Sequence, residues 1–160
     1  KSEPSLIRTE ADELTYCLHI MVRYELEKRM FDGSLTAHDL PAEWNRLYKE
    51  YLGIDVPDDR QGVLQDSHWA NGNIGYFPSY AIGSAYGAQY LQEMSKDLDV
   101  DAVVRSGDLT PINNWLEDRI WKHGCMKDPV ALFESVCGKF DPDCYVAYLE
   151  KKFTEVYGLS

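Results

Sequence analysis

Between Gly62 and Tyr80 the chain reads Gly-Val-Leu-Gln-Asp-Ser-His-Trp-Ala-Asn-Gly-Asn-Ile-Gly-Tyr-Phe-Pro-Ser-Tyr, a stretch with neither a helical nor a strand period. His68 lies within reach of Asp66, with Gln65, Tyr76 and Tyr80 nearby. Such a set could act as a general acid–base site, as an oxyanion stabiliser or as a metal ligand. Counted from Gly53 to Gly75, the irregular segment exceeds the roughly 12–15 residues beyond which ordered loops are usually functional. Solvated linkers seldom carry Trp, Phe and Tyr, so the segment is expected to wall a binding or catalytic cleft.

A second group of candidates lies near the start. Arg8, Asp12, Thr15, His19 and Arg23 are spaced at three or four residues and would share one face of a helix. Unpaired charge is costly to bury, which leaves two readings. The row is an internal salt-bridge network, or Arg8, at the open end, faces a ligand anion. No complete catalytic motif occurs: there is no H-E-x-x-H, G-x-S-x-G, phosphate-binding loop or dinucleotide fingerprint. With only four widely spaced histidines, a self-contained zinc site is not expected.

The elements that must position these residues are helical. A helix is expected from about Thr9 to Phe31, with Thr9 and Asp12 as its start and Asp32-Gly33 as its stop. Thr36, Asp39 and Pro41 announce a short helix, Ala42 to Leu52, closed by Gly53, with Trp44, Leu47, Tyr48 and Tyr51 as its apolar face. Another should run from Pro78 to about Leu98. Its first half, Ala81 to Ala88, is nearly bare of side chains, as close backbone approach to another helix would require. Four further helices are punctuated by Asp99 and Gly107, Thr110-Pro111 and Gly124, Asp128-Pro129 and Gly138, and Asp141-Pro142 and Gly158. This half reads as scaffold, with His123 as a capping residue and His38 on a surface loop. The fold class is therefore all-α, one helical unit carrying one long irregular loop.

The 160 residues suffice for one ordinary domain, and 44% hydrophobic with 27% charged residues is a globular balance. A net charge of −11 argues against nucleic acid and anionic membranes as partners. Cys17, Cys125, Cys137 and Cys144 show no metal-ligand or redox spacing, which fits reduced thiols and a cytoplasmic location. No apolar run reaches membrane-spanning length, and Lys1-Ser-Glu-Pro is no signal peptide. The chain opens a few residues before a helix, as a piece of something longer would.

Two segments together are more specific than any residue alone. Ile7-Arg8-Thr9-Glu10-Ala11-Asp12 fits I-R-x-x-A-D, and Gly62 through Trp69 fits G-x-x-Q-D-x-H-W. That pair, followed by Gly75-Tyr76-Phe77-Pro78, resembles the carboxypeptidase Taq (thermostable carboxypeptidase) family of zinc metallocarboxypeptidases. The likeness extends through Asp39-Leu40-Pro41, Val56-Pro57-Asp58-Asp59 and Asp141-Pro142-Asp143, and so over essentially the whole chain. The resemblance implies a mostly helical, homodimeric exopeptidase acting on peptides with a free C-terminus. This chain would be its C-terminal third. Zinc would be held by an H-E-x-x-H helix and a downstream glutamate, all outside this chain, so no metal ligand and no bound metal are expected here.

The resemblance also implies roles. Arg8 would take the substrate's carboxylate, with Asp12 orienting it, because a planar guanidinium suits a carboxylate. His68 and either Tyr76 or Tyr80 would stabilise the tetrahedral oxyanion or hold the scissile amide. Gln65 and Asp66 complete the substrate-binding set by standing behind the imidazole and fixing its tautomer. On this reading the 160 residues alone do not hydrolyse peptides, and they self-associate through apolar surface. The rival reading is a non-catalytic helical module for peptide binding or dimerisation, and a third is one half of a split enzyme.

Overall fold

The computed structural model describes residues 2–159. Among them are seven α-helices, two short 3-10 turns and no strand: the chain is all-α. The helices are α1 (Tyr16–Phe31), α2 (Leu40–Leu52), α3 (Pro78–Asp97), α4 (Val100–Ser106), α5 (Thr110–Arg119), α6 (Pro129–Cys137) and α7 (Asp143–Tyr157). The 3-10 turns are Arg8–Glu10 and Trp121–His123. No helix among the described residues is long and apolar enough to cross a membrane. The chain divides into two compact units, Lys1–Ile82 and Gly83–Ser160.

In the first unit α1 packs on α2. Val22 and Leu26 meet Leu35, Trp44, Leu47, Tyr48 and Leu52 in one buried cluster, and each fully buried aliphatic side chain contributes about 1.5–3 kcal/mol. Trp44 stacks on Tyr48 with ring centroids 5.0 Å apart, and Trp69 meets the edge of that stack at 6.2 Å from Trp44. The long loop is thereby fastened to the core by its own tryptophan. Gly53 closes α2 with a φ of 74°, which a side-chain-bearing residue would strain to adopt.

The first helix begins later than the sequence suggests. Residues 8–10 form only a 3-10 turn, and Ala11 is extended, so the chain breaks before α1. The reason lies in Asp12. Its carboxylate accepts from the Thr15 amide at 2.9 Å, so the capping pattern runs from Asp12 to Thr15 and not from Thr9 to Asp12. Arg8 consequently sits on a separate turn and does not share a helix face with His19 and Arg23.

In the second unit Phe133 is fully buried, stacked on Tyr86 at 3.9 Å and edged by Phe140 and Tyr90. Gln89, also buried, ties the α6–α7 connection: its amide nitrogen donates to the Cys137 and Lys139 carbonyls and its oxygen accepts from the Asp141 amide. Asp99 and Asp128 cap their helices by accepting from backbone amides, as their positions predict. The helix expected to continue to Gly124 stops instead at Arg119, because Ile120 leaves helical geometry before the Trp121–His123 turn. The glycines of the bare face also differ from expectation. A Cβ at Gly83 or Gly87 would meet no atom within 4 Å, so nothing described in this chain approaches them.

Candidate active site

The centre of the first unit is polar. Along α1 the side chains His19, Arg23 and Glu27, four residues apart, point inward, with relative exposures of 0%, 0% and 5%. Each is held by the loop or by α2. Asp66 lies between two guanidinium groups. Its Oδ1 accepts from Arg8 Nε at 3.1 Å and Nη2 at 2.8 Å, while Oδ2 accepts from Arg23 Nε at 2.7 Å. The Gln65 Oε1 accepts from the Arg8 backbone amide and from Arg23 Nη2, both at 2.9 Å. The Gln65 amide nitrogen is directed at the carbonyls of Leu6, Gln61 and Gly62 and at the Tyr48 hydroxyl. Loop, 3-10 turn, α1 and α2 are thus joined by one hydrogen-bonded network.

Aromatic rings enclose the cations. Arg23 lies 4.6 Å from the Trp44 ring and 5.3 Å from Phe77, and Arg8 lies 4.9 Å from Tyr80. The electrostatics follow from this setting. Burial pushes the Asp66 carboxyl up, yet the Arg8 hydrogen bonds and the Arg23 charge outweigh it and hold the group below the usual carboxylate range. Burial pulls His19 down to about 4, with Arg23 and Arg8 adding to the effect, so its imidazole is neutral at pH 7. Its Nδ1 is 3.0 Å from the Tyr48 hydroxyl, which in turn donates to the Leu6 carbonyl.

His68 sits at the edge of this network. Its Nε2 is 3.0 Å from the Tyr80 hydroxyl, and its ring rests 4.4 Å from Phe77 and 5.9 Å from Tyr76. Nδ1 is enclosed and has no hydrogen-bond partner among the described residues; Asp66 Oδ1 stands 3.8 Å away, too far for a bond. Tyr76 is 50% exposed, unlike the enclosed Phe77 beside it.

The structure therefore brings Arg8, Gln65, Asp66, His68, Tyr76 and Tyr80 into one region, with partners that differ from the expected ones. Asp12 accepts from Thr15 and from Ser2, and the carboxylate on Arg8 is Asp66. Gln65 spends its amide on Arg8, Arg23 and backbone carbonyls, not on His68. Arg8, 7% exposed, gives three of its five side-chain N–H groups to Asp66 and Tyr16, so the internal ion-pair network exists, and the other two have no partner among the described residues. Two guanidinium groups face one carboxylate, so the Arg8–Asp66–Arg23 group by itself carries one positive charge, with the buried Glu27 carboxylate one α1 turn beyond Arg23. Tyr48, expected only as part of an apolar face, puts its hydroxyl into this network, and Glu27, which carries no sequence expectation, continues the four-residue spacing of His19 and Arg23.

Among the described residues no three His, Cys, Asp or Glu side chains converge where a metal ion could sit. The donors around His68 do not fit one: the nearest carboxylate is already bound by two guanidinium groups, and the remaining groups are phenols. The arrangement is suited to an anion or a polarised carbonyl oxygen.

Three comparisons bear on what this arrangement belongs to. The family model described as Carboxypeptidase Taq (M32) metallopeptidase matches residues 1–153. Carboxypeptidase 1 of Bacillus subtilis is 45% identical over 159 residues, covering 98% of this chain and 32% of the relative. Thermostable carboxypeptidase 1 of Thermus thermophilus is 44% identical over 159 residues, covering 98% and 31%. Among solved structures, the M32 carboxypeptidase of Deinococcus radiodurans superposes with a TM-score of 0.93 at 38% identity, over 98% of this chain and 32% of that one. The chain thus spans about a third of the length of the relatives it matches.

Proposed function

The chain belongs to the carboxypeptidase Taq (M32) metallopeptidase family, and from that premise we propose that it forms the substrate-gripping wall of a metallocarboxypeptidase cleft. The substrate is a peptide with a free C-terminus, and the chain corresponds to the C-terminal third of the family's length. The observation that carries the reading is the cationic cluster around Asp66 with His68 and Tyr80 on its rim. An exopeptidase must read an α-carboxylate, and a surplus guanidinium charge in a desolvated setting attracts one strongly.

Within that reading each side chain has one task. Asp66 fixes the planes of Arg8 and Arg23, so that Arg8 meets the carboxylate with little reorganisation. Tyr80 and Tyr76 hold or donate protons beside His68, where the scissile carbonyl oxygen gains charge as the bond breaks. The hydrolytic metal and its ligands belong to the two-thirds of the family's length that this chain does not span, and in the assembled enzyme two copies pair. The 160 residues alone bind peptide tails without cutting them.

The test is a titration of the purified chain with a short peptide, followed by NMR or calorimetry. A free C-terminal carboxylate should bind at least about 10-fold more tightly than the amidated peptide, the scale of one charge-assisted contact. Equal affinity for the two peptides, or no binding to either, overturns the proposal.

A further inference from the structure

Glu27 is a buried carboxylate with no cation on it among the described residues. Its two hydrogen-bond partners are neutral. The Trp69 indole donates to Oε1 at 2.7 Å, and the Gly75 amide donates to both carboxylate oxygens at 3.2 Å. A buried carboxylate so placed is costly unless those bonds are made. The chain positions it firmly: Glu27 follows Arg23 by one turn of α1, and its neighbour Leu26 is fully enclosed in the core.

The two donors lie at the two ends of one short loop. Trp69 follows His68, and Gly75 precedes Tyr76. Between them the backbone turns tightly on itself, with the amides of Asn71 and Asn73 donating to the His68 carbonyl and the Gly72 amide donating to that of Trp69. Gly72 and Gly75 both adopt φ near +70°, at 73° and 72°, where other residues are strained. The indole of Trp69 is also set edge-on to Phe77, at 5.8 Å, and Phe77 supports the His68 ring. A single carboxylate therefore clamps both stems of the segment that presents His68 and Tyr76.

We propose that Glu27 is a positioning residue of this site: through Trp69 and Gly75 it fixes where His68 and Tyr76 stand relative to each other. The catalytic part of this statement rests on the function proposed above; the clamp itself does not. Releasing it leaves the helices in place but frees the loop, so the imidazole and the phenols lose their registration.

The experiment uses isotope-labelled 160-residue chain and the variants Glu27→Met, which keeps the length of the side chain and removes both oxygens that accept from Trp69 and Gly75, and Glu25→Gln. Glu25, on the same helix, pairs with Lys28 at the surface and serves as the control. In the unaltered chain the Gly75 amide should be protected from solvent exchange. In Glu27→Met, with helix content unchanged, that amide should exchange about 10- to 100-fold faster. The tautomer balance of the His68 imidazole should shift in nitrogen-detected spectra, and affinity for a free-carboxylate peptide should fall. Glu25→Gln should change none of these. A loss of global stability alone would leave the His68 tautomer unmoved in the folded molecules. An unprotected Gly75 amide in the unaltered chain, or an unshifted His68 in folded Glu27→Met, overturns the proposal. If Gly75 and His68 respond as stated while no peptide binds, the clamp holds and the proposed function falls.

Discussion

Arg8 and His68 meet on Tyr80. The guanidinium carbon of Arg8 lies 4.9 Å from the centre of its ring, and the hydroxyl at the ring's far end is 3.0 Å from His68 Nε2. One phenol therefore touches both the cation proposed to hold the substrate's tail and the imidazole proposed to act at its carbonyl. Replacing Tyr80 by Phe keeps the cation's platform and deletes the hydroxyl. We expect a stability loss of only about 0.5–1.5 kcal/mol, read from a urea transition, together with a changed His68 tautomer in NMR spectra. An unaltered imidazole would mean that the hydroxyl does not hold Nε2.

Asp66 is the anion for two buried guanidinium groups, so its removal is expected to be severe. Asp66→Asn keeps the shape but leaves Arg8 and Arg23 without a counter-charge. Breaking a buried pair from one side costs about 3–5 kcal/mol. Equilibrium unfolding in urea should show a loss of that size. A companion variant, Arg46→Gln, which breaks exposed pairs with Glu43 and Glu50, should lose less than about 1 kcal/mol.

Acid should weaken the first unit in two stages. His19 titrates near 4 in the folded chain against about 6.5 when unfolded, so between those values the unfolded chain binds the extra proton. Stability is therefore full above about pH 6.5 and declines as pH falls towards 4. Asp66, also depressed, adds a further loss as pH falls below the ordinary carboxylate range and through its lowered folded value. Thermal unfolding followed from pH 7 to 4 should show the midpoint falling. In His19→Asn the limb between pH 6.5 and 4 should flatten, and an unchanged limb would assign it to other groups.

Leu26 and Phe133 test the two cores separately. Both are fully buried, Leu26 in the α1–α2 cluster and Phe133 under Tyr86. Leu26→Ala should cost about 2–5 kcal/mol and Phe133→Ala about 3–5 kcal/mol. If the units unfold independently, each variant lowers one of two calorimetric transitions and leaves the other. A single transition lowered by both would mean that they unfold together.

What could be read from the sequence was what is encoded locally. Asp99, Asp128, Gly53 and Gly107 mark helix ends through caps that involve the next few residues, and they do so in the structure. Thr9–Asp12 and Asp12–Thr15 are overlapping capping patterns of which only the second closes, so α1 starts later than the sequence suggests. The break at Ile120 carries no glycine or proline to announce it. At the site, His68, Asp66 and Tyr80 were legible because an irregular stretch so rich in rings and donors has few other uses. Their partners were not, since Arg23 to Asp66 and Glu27 to Trp69 are joined across more than forty positions. The small residues near Gly83 suggest a close helix contact, yet composition tells that a face is bare and not what covers it.

The surplus guanidinium charge around Asp66 is set within a protein of net charge −11. An anionic peptide tail approaching from solution first meets repulsion and feels attraction only at close range. Ordinary salt shortens the reach of surface charges to about 10 Å at 0.1 M but weakens enclosed ones far less. Added salt should therefore speed the capture of acidic peptides by this chain, opposite to the slowing expected of a basic docking patch.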